Sequence, residues 1–139
     1  MPGKRVTGIG GIFFKAQDRE RLLAWYRDRL GIDLQEWGGW LFLWRDHDNP
    51  DRAGHTVWSV FDKNSTYMQP GNASFMINYR VDDLDGVLSA LRAEGVEVED
   101  KVDESEFGRF GWAIDPEGNK IELWEPPDVA KRGTPTSDE

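Results

Sequence analysis

The sequence predicts an α+β fold of two βαβββ modules, whose strands form a curved mixed sheet enclosing a cup, with the helices on the outer face. Two observations support this prediction. The chain repeats itself, since 12-IFFKAQD-18 matches 77-INYRVDD-83 in residue type, with Asp18 and Asp83 lying 65 positions apart. Each half also has a single helical pattern, so one face of each sheet must find its cover elsewhere.

The two halves share one order of elements. A strand at about 8–16 or 74–82 ends at an aspartate that can cap the following helix. The helices, 18–31 and 83–95, have apolar residues at steps of three and four and end at Gly31 and Gly95, which suit a left-handed cap. Three strands follow in each half, at about 32–37, 39–45 and 55–61, and at about 96–102, 108–114 and 120–125. A pair of ferredoxin-like units would need a second helix per half, for which no pattern is present.

These elements predict one domain over residues 1–126. Module one covers about 6–62, a linker covers 63–72, and module two covers about 73–126. The segment 127–139 is polar and interrupted by prolines, which predicts a flexible tail.

Composition restricts the function. The 139-residue chain has a formal net charge of -9, which argues against a nucleic acid or an anionic membrane as partner. It has no cysteine, which excludes disulfides and thiolate chemistry. The longest purely apolar run, 40-WLFLW-44, is too short to span a membrane, and the N-terminus lacks the apolar region of a signal peptide, so a cytoplasmic location is expected.

Residues 6–126 resemble the vicinal oxygen chelate superfamily, which includes glyoxalase I, bleomycin-resistance proteins and extradiol dioxygenases. The resemblance rests on the paired modules and on the segments 18-DRERLLAWYRDRLGI-32, 81-VDDLDGVLSALRAEGVEV-98 and 115-DPEGNKIELWEP-126. It implies the fold, a small-molecule ligand and a homodimer. It does not imply one reaction, because the superfamily includes lyases, epimerases, dioxygenases and drug-binding proteins.

The resemblance also implies where a metal would be bound. Metal-using members place up to four ligands on cup-facing strand positions, which here are Gly11, Thr56, Met76 and Glu122. Only Glu122 offers a donor that suits a hard or borderline divalent ion, and a catalytic site needs about three such donors. We therefore expect no metal and no other cofactor.

Strand alternation predicts the lining of the cup. Phe110 and Trp112 are placed under the helix, because a four-residue loop at 116–119 would pair Ala113 with Glu122. The predicted pocket has aromatic walls and an anionic floor, suited to a planar or apolar ligand that carries a cation or a hydrogen-bond donor. The predicted ligand-binding residues are Phe13, Trp40, Phe42, Trp44, Trp58, Asn78, Arg80, Arg109, Glu122 and Trp124.

Three interpretations remain open at this stage. The first is a metal-independent protein that binds a small molecule. The second is an enzyme, either a glyoxalase-like lyase or isomerase with a displaced divalent metal, or a catalyst with Glu122 as its acid or base. The third is structural: the tryptophans only fill the interior, and Glu122 pairs with Arg109, Arg80 or Lys15.

Overall fold

The computed structural model describes residues 5–127 and has two helices and one mixed seven-stranded sheet over that range. The predicted α+β class is confirmed. The predicted tail lies outside the described residues except for Pro127. The elements in chain order are β1 (Val6–Ala16), α1 (Arg19–Leu30), β2 (Gly39–Arg45), β3 (Ala53–Asp62), β4 (Phe75–Val81), α2 (Leu84–Ala93), β5 (Asp103–Ser105), β6 (Gly108–Ile114) and β7 (Lys120–Glu125).

The two halves join through their first strands. The strand order is β2-β3-β1-β4-β7-β6-β5, and the central pair β1 and β4 is antiparallel. Within each half the first strand lies parallel to the last one, β1 beside β3 and β4 beside β7. The repeat in the sequence is therefore a repeat of structure.

Both helices begin and end as the sequence predicts. The side chains of Asp18 and Asp83 accept hydrogen bonds from the backbone N–H groups of Arg21 (3.2 Å) and Gly86 (3.1 Å), satisfying helix N-terminal donors. Gly31 and Gly95 have φ values of 70° and 85°, a left-handed conformation that glycine adopts without strain.

Both helices cover the same face of the sheet. Under α2, Leu84 and Leu88 pack with Val81 and Leu123 in a buried cluster. Under α1, the ring of Tyr26 meets those of Phe14 and Trp58 edge-on. Ile12 is paired with Trp58 on one side and with Ile77 on the other, so the two covered surfaces are continuous. We call the opposite surface the helix-free face.

Two predicted strands do not form. Residues 32–37 end in a tight turn, in which Gly38 donates to the carbonyl of Gln35 at 2.9 Å and has a φ of 91°. Residues 96–102 contribute only an isolated bridge between Val98 and Ala113, and the short strand β5 follows at 103–105. The described sheet therefore has seven strands, one fewer than predicted.

The predicted register of the last hairpin is wrong by one residue. Lys120 pairs with Ile114, so five residues connect β6 to β7 and Glu122 lies opposite Trp112 rather than Ala113. Since side chains alternate between faces, this shift moves Phe110 and Trp112 to the helix-free face. Gly111 lies instead under α2, where an added Cβ would be 2.9 Å from Leu88.

No helix within residues 5–127 is long and apolar enough to cross a membrane.

Candidate ligand-binding site

The centre of the helix-free face is a buried carboxylate. Glu122 is 2% exposed and accepts three side-chain hydrogen bonds. Asn78 donates to Oε1 at 2.6 Å, Trp112 donates to Oε2 at 2.9 Å, and the Tyr67 hydroxyl also donates to Oε2. Burial raises the pKa of the Glu122 carboxyl above its ordinary value of 4.5, against the opposing effect of these donors and of Lys120.

The cover of this carboxylate comes from the segment that joins the modules. Met68 is 1% exposed and packs in one cluster with Met76 and Trp112, while Tyr67 is 38% exposed. Desolvation, followed by the nearby charge of Glu122, raises the pKa of the Tyr67 phenol, so its hydroxyl stays protonated and remains a donor. Residues 67 and 68 therefore close the helix-free face over Glu122.

Lys120 holds this cover in place. Its Nζ donates to the carbonyl oxygen of Tyr67 at 2.8 Å and lies 3.4 Å from a carboxylate oxygen of Glu99. The same ammonium group is 5.4 Å from the ring centroid of Tyr67 and 5.3 Å from that of Trp112, within cation–π range.

A second buried cation lies further along the same face. Arg80 is 2% exposed, and its Cζ lies 5.5 Å from the ring centroid of Trp44 and 6.0 Å from that of Trp124. The Trp124 ring also stacks on Phe110, and its Nε1 donates to the carbonyl of Phe107 at 2.7 Å. The Arg80 guanidinium therefore has indole rings as neighbours on two sides.

Three glycines make room for this cluster. A Cβ at Gly54 would lie 2.4 Å from both an Arg80 nitrogen and the Trp44 ring, and a Cβ at Gly8 would lie 2.6 Å from the same ring. A Cβ at Gly10 would lie 2.3 Å from Asn78 Oδ1 and 2.7 Å from Trp124. The run 8-GIGG-11 thus allows large side chains to lie directly on the β1 backbone.

Six of the predicted site residues reach this surface. Phe13 is paired with Met76 and contacts the ring of Phe61. The indole ring of Trp44 lies on this surface, since it contacts Arg80. The parallel register of β4 and β7 places Asn78 beside Glu122 and Arg80 beside Trp124. These six residues lie on the helix-free face, and their contact with a ligand stays a prediction.

The placement predicted for Trp58, Trp40 and Arg109 is wrong. Trp58 packs on Tyr26 of α1, and Trp40 lies opposite Trp58 in the β2–β3 register, so both belong to the helix-covered face. Arg109 pairs with Asp85 of α2 at 3.0 Å, because the register of β6 differs by one residue. Phe42 lies on the edge strand β2 opposite Thr56 and is 44% exposed.

Four members of this site were not predicted from the sequence: Tyr67, Met68, Trp112 and Lys120. The signal for the first two was available, since they are the only large apolar side chains in the linker 63-KNSTYMQPGN-72. An aromatic and an adjacent apolar residue in a polar connection indicate a segment that packs onto the domain.

The four positions at which metal-using members hold their ion do not fit a divalent metal here. Gly11 has no donor, Met76 is a soft ligand buried in an apolar cluster, and Thr56 donates to the carbonyl of Ile9. Glu122 accepts hydrogen bonds on both oxygens. Residues 5–127 contain no group of three histidine, cysteine or acidic side chains that could hold a metal ion.

The paired modules, the sheet order and the central carboxylate define a member of the vicinal oxygen chelate superfamily. The chain belongs to the glyoxalase-like domain family, whose profile matches residues 11–124.

Solved structures share this fold. Methylmalonyl-CoA epimerase from Mycobacterium tuberculosis is 21% identical with a TM-score of 0.61, covering 94% of this chain and 96% of that chain. A variant of the Streptomyces coelicolor epimerase in complex with 2-nitronate-propionyl-CoA is 21% identical with a TM-score of 0.60, covering 89% and 97%. At this identity the likeness shows the fold alone. No curated protein matches the chain significantly.

Proposed function

We propose that this chain is a metal-independent protein that binds a planar or apolar small molecule on its helix-free face. The observation that carries the proposal is the Glu122 carboxylate, which is buried among aromatic rings and held by donors from Tyr67, Asn78 and Trp112. A carboxylate whose oxygens are held by side-chain donors has little capacity left to coordinate a cation. The surrounding indoles and phenyl rings offer flat apolar surfaces to a ligand.

The different exposure of the two covering residues, Tyr67 and Met68, supports a binding function. The Tyr67 side chain is partly exposed above Glu122, whereas Met68 beside it is fully buried. A ligand that displaces the Tyr67 ring would gain contact with the aromatic rings of Trp112 and Phe61, which Tyr67 now covers. The covering segment therefore occupies the space in which a planar ligand would lie.

The test is a binding screen on purified protein with planar compounds of neutral, anionic and cationic type. Tryptophan emission and the thermal midpoint should change with at least one class, and chelator should not alter the response. Trp44→Phe should weaken the response, because this indole belongs to the site. The matched control is Trp25→Phe, since Trp25 is 50% exposed on α1. A panel without any response, or a response that requires added metal, would contradict the proposal.

A second candidate is acid/base catalysis by Glu122, and its raised pKa favours it. The two candidates differ in what happens to the bound compound. In D2O an acid/base catalyst would exchange or move a proton of its ligand, visible by NMR, and Glu122→Gln would stop the exchange while retaining binding. A ligand recovered unchanged from both proteins would refute the catalytic candidate, and binding would be the remaining function.

The homodimer, which the family resemblance implies, and the cytoplasmic location, which was expected from the sequence, stay predictions.

A further inference from the structure

The two edges of the sheet differ in how well they are protected against a further strand. Within residues 5–127 the sheet ends at β2 on one side and at β5 on the other. The edge strand β5 has only three residues, of which Asp103 and Glu104 are acidic, and short charged edges discourage pairing with another chain. The edge strand β2 has seven residues, and the segment 37-WGGWLFLW-44 is uncharged. Of these two edges, β2 is therefore the one that another strand could join.

The hydrogen bonds at the two ends of β2 show which of its backbone groups face outward. The Gly38 carbonyl accepts a hydrogen bond from β3 at 3.2 Å, and the Asp46 N–H donates at 2.9 Å to the residue that precedes β3. Bonded and non-bonded pairs alternate along an antiparallel ladder, so the even-numbered residues of β2 are the ones bonded to β3. Leu41 and Leu43 therefore turn their N–H and C=O groups to the outer edge, where no strand within residues 5–127 meets them.

The side chains beside this edge are apolar and exposed. Leu43 is 81% exposed, and Trp37 and Phe42 are 47% and 44% exposed. The sequence of β2, GWLFLWR, has no proline, lysine or acidic residue that would discourage pairing. A long, apolar and exposed edge strand is a template for pairing with another chain.

The distribution of charge also favours contact at this end of the sheet. Residues 1–62 hold nine basic and nine acidic side chains, whereas residues 73–126 hold five basic and fourteen acidic ones. The net charge of -9 therefore lies in the second module. Two copies of the chain meet with the least repulsion where their first modules face each other, and β2 is the edge of that module.

We propose that the outer edge of β2 is a pairing surface for β2 of a second copy, and that the two sheets join there around a two-fold axis. With the axis at Phe42, the antiparallel strands place Leu41 of one copy opposite Leu43 of the other, and each such pair exchanges both of its backbone hydrogen bonds. The dimer is closed, because the contact uses the β2 edge of both copies and β5 is protected. A single strand pair is a small interface, so we expect a dissociation constant of roughly 1–100 μM. The proposal is independent of any ligand.

Amide hydrogen exchange on the full-length protein tests the pairing directly. The backbone N–H groups of Leu41 and Leu43 should exchange quickly in dilute solution and slowly at concentrations at which the dimer forms. The N–H of Phe42 is the internal control, because it is bonded to β3 in the monomer and should be protected throughout. Exchange at Leu41 and Leu43 that stays fast at every concentration would overturn the proposal.

Sedimentation over the micromolar concentration range, with no ligand present, tests the interface by substitution. The wild type should pass from monomer to dimer and form no larger species. Leu43→Pro should weaken the dimer at least about tenfold, because proline removes the outward N–H of that residue in both copies. Leu43→Lys should also weaken it and leaves the backbone intact, so it serves if the proline variant is unfolded by circular dichroism. The matched control is Phe107→Lys, since Phe107 is 65% exposed beside β5, and this variant should dimerise as the wild type does.

Three outcomes would overturn the proposal. A wild type that stays monomeric would mean that the edge serves another chain or none. A dimer that survives both Leu43 substitutions in folded protein would lie at a different surface. Species that keep growing beyond the dimer would show that the contact is not closed. None of these outcomes bears on the proposed small-molecule binding, which is measured separately.

Discussion

Replacing Glu122 tests whether its hydrogen-bond network organises the domain. In Glu122→Ala, two buried donors, Asn78 Nδ2 and Trp112 Nε1, lose their acceptor. The Tyr67 hydroxyl is not counted, because this residue is partly exposed and can turn to water. Each orphaned buried donor costs about 1–3 kcal/mol, so the free energy of unfolding should fall by about 2–6 kcal/mol, offset in part by removal of a buried charge.

Glu122→Gln is the matched control for this prediction. Trp112 and Tyr67 both donate to Oε2, so a single amide oxygen can serve both of them. The Asn78 amide can rotate to accept from the new NH2 group, and its own NH2 then takes the buried place in which Oδ1 has no partner in wild type, so one buried polar atom of Asn78 is unpartnered in both proteins. We expect this variant within about 1 kcal/mol of wild type.

Urea denaturation at pH 7, followed by tryptophan emission and circular dichroism, measures all three proteins. The m-values should agree, so that the midpoints report stability alone. The reasoning is refuted if the alanine variant is as stable as the glutamine variant, because the network would then contribute nothing.

Three other perturbations have definite expected results. Because burial raises the pKa of Glu122 above 4.5, the folded state holds that proton more tightly than the unfolded state. The stability it confers is complete below pH 4.5 and is lost as the pH rises through the folded pKa. The unfolding free energy of wild type relative to Glu122→Gln should therefore fall as the pH rises above 4.5, by at most about 1.4 kcal/mol per pH unit, whereas parallel curves would contradict it. Gly54→Ala should cost about 1–3 kcal/mol in thermal unfolding, since its Cβ would overlap Arg80 and Trp44, and an unchanged midpoint would mean that these side chains move freely. Met68→Ala should cost about 2–5 kcal/mol in urea denaturation, because Met68 is a buried core residue, and a loss under 1 kcal/mol would show that the cover is loosely packed.

The elements that the sequence predicted correctly are those with local signals. Asp18 and Asp83 start the helices, and Gly31 adopts a left-handed conformation, because caps depend on residues within one turn. The parallel pairing of Glu122 with Asn78 agrees with the predicted faces, since the repeat fixed their alternation.

The errors arose where the face of a side chain depends on one residue of loop length, or where a contact is made by a distant segment of the chain. Because five residues connect Ile114 to β7, Trp112 lies on the face opposite to the predicted one and Arg109 lies outside the site. The face predicted for Trp40 is also wrong, because only the pairing of β2 with β3 shows that Trp40 lies opposite Trp58. The role of Tyr67 depends on a contact with Glu122, 55 positions away, which no local pattern reports.

The covering residues belong to the connection between the repeats, and this has a consequence for how such a protein could arise. A half-length ancestor that paired with itself would build the same central strands but would possess no connecting segment to fold over the acid. Tyr67 and Met68 can cover Glu122 only because the two modules are joined in one chain, so the closed interior depends on the connection and not on the modules alone. Cutting the backbone between residues 63 and 66 should therefore leave the sheet assembled and open its centre to water.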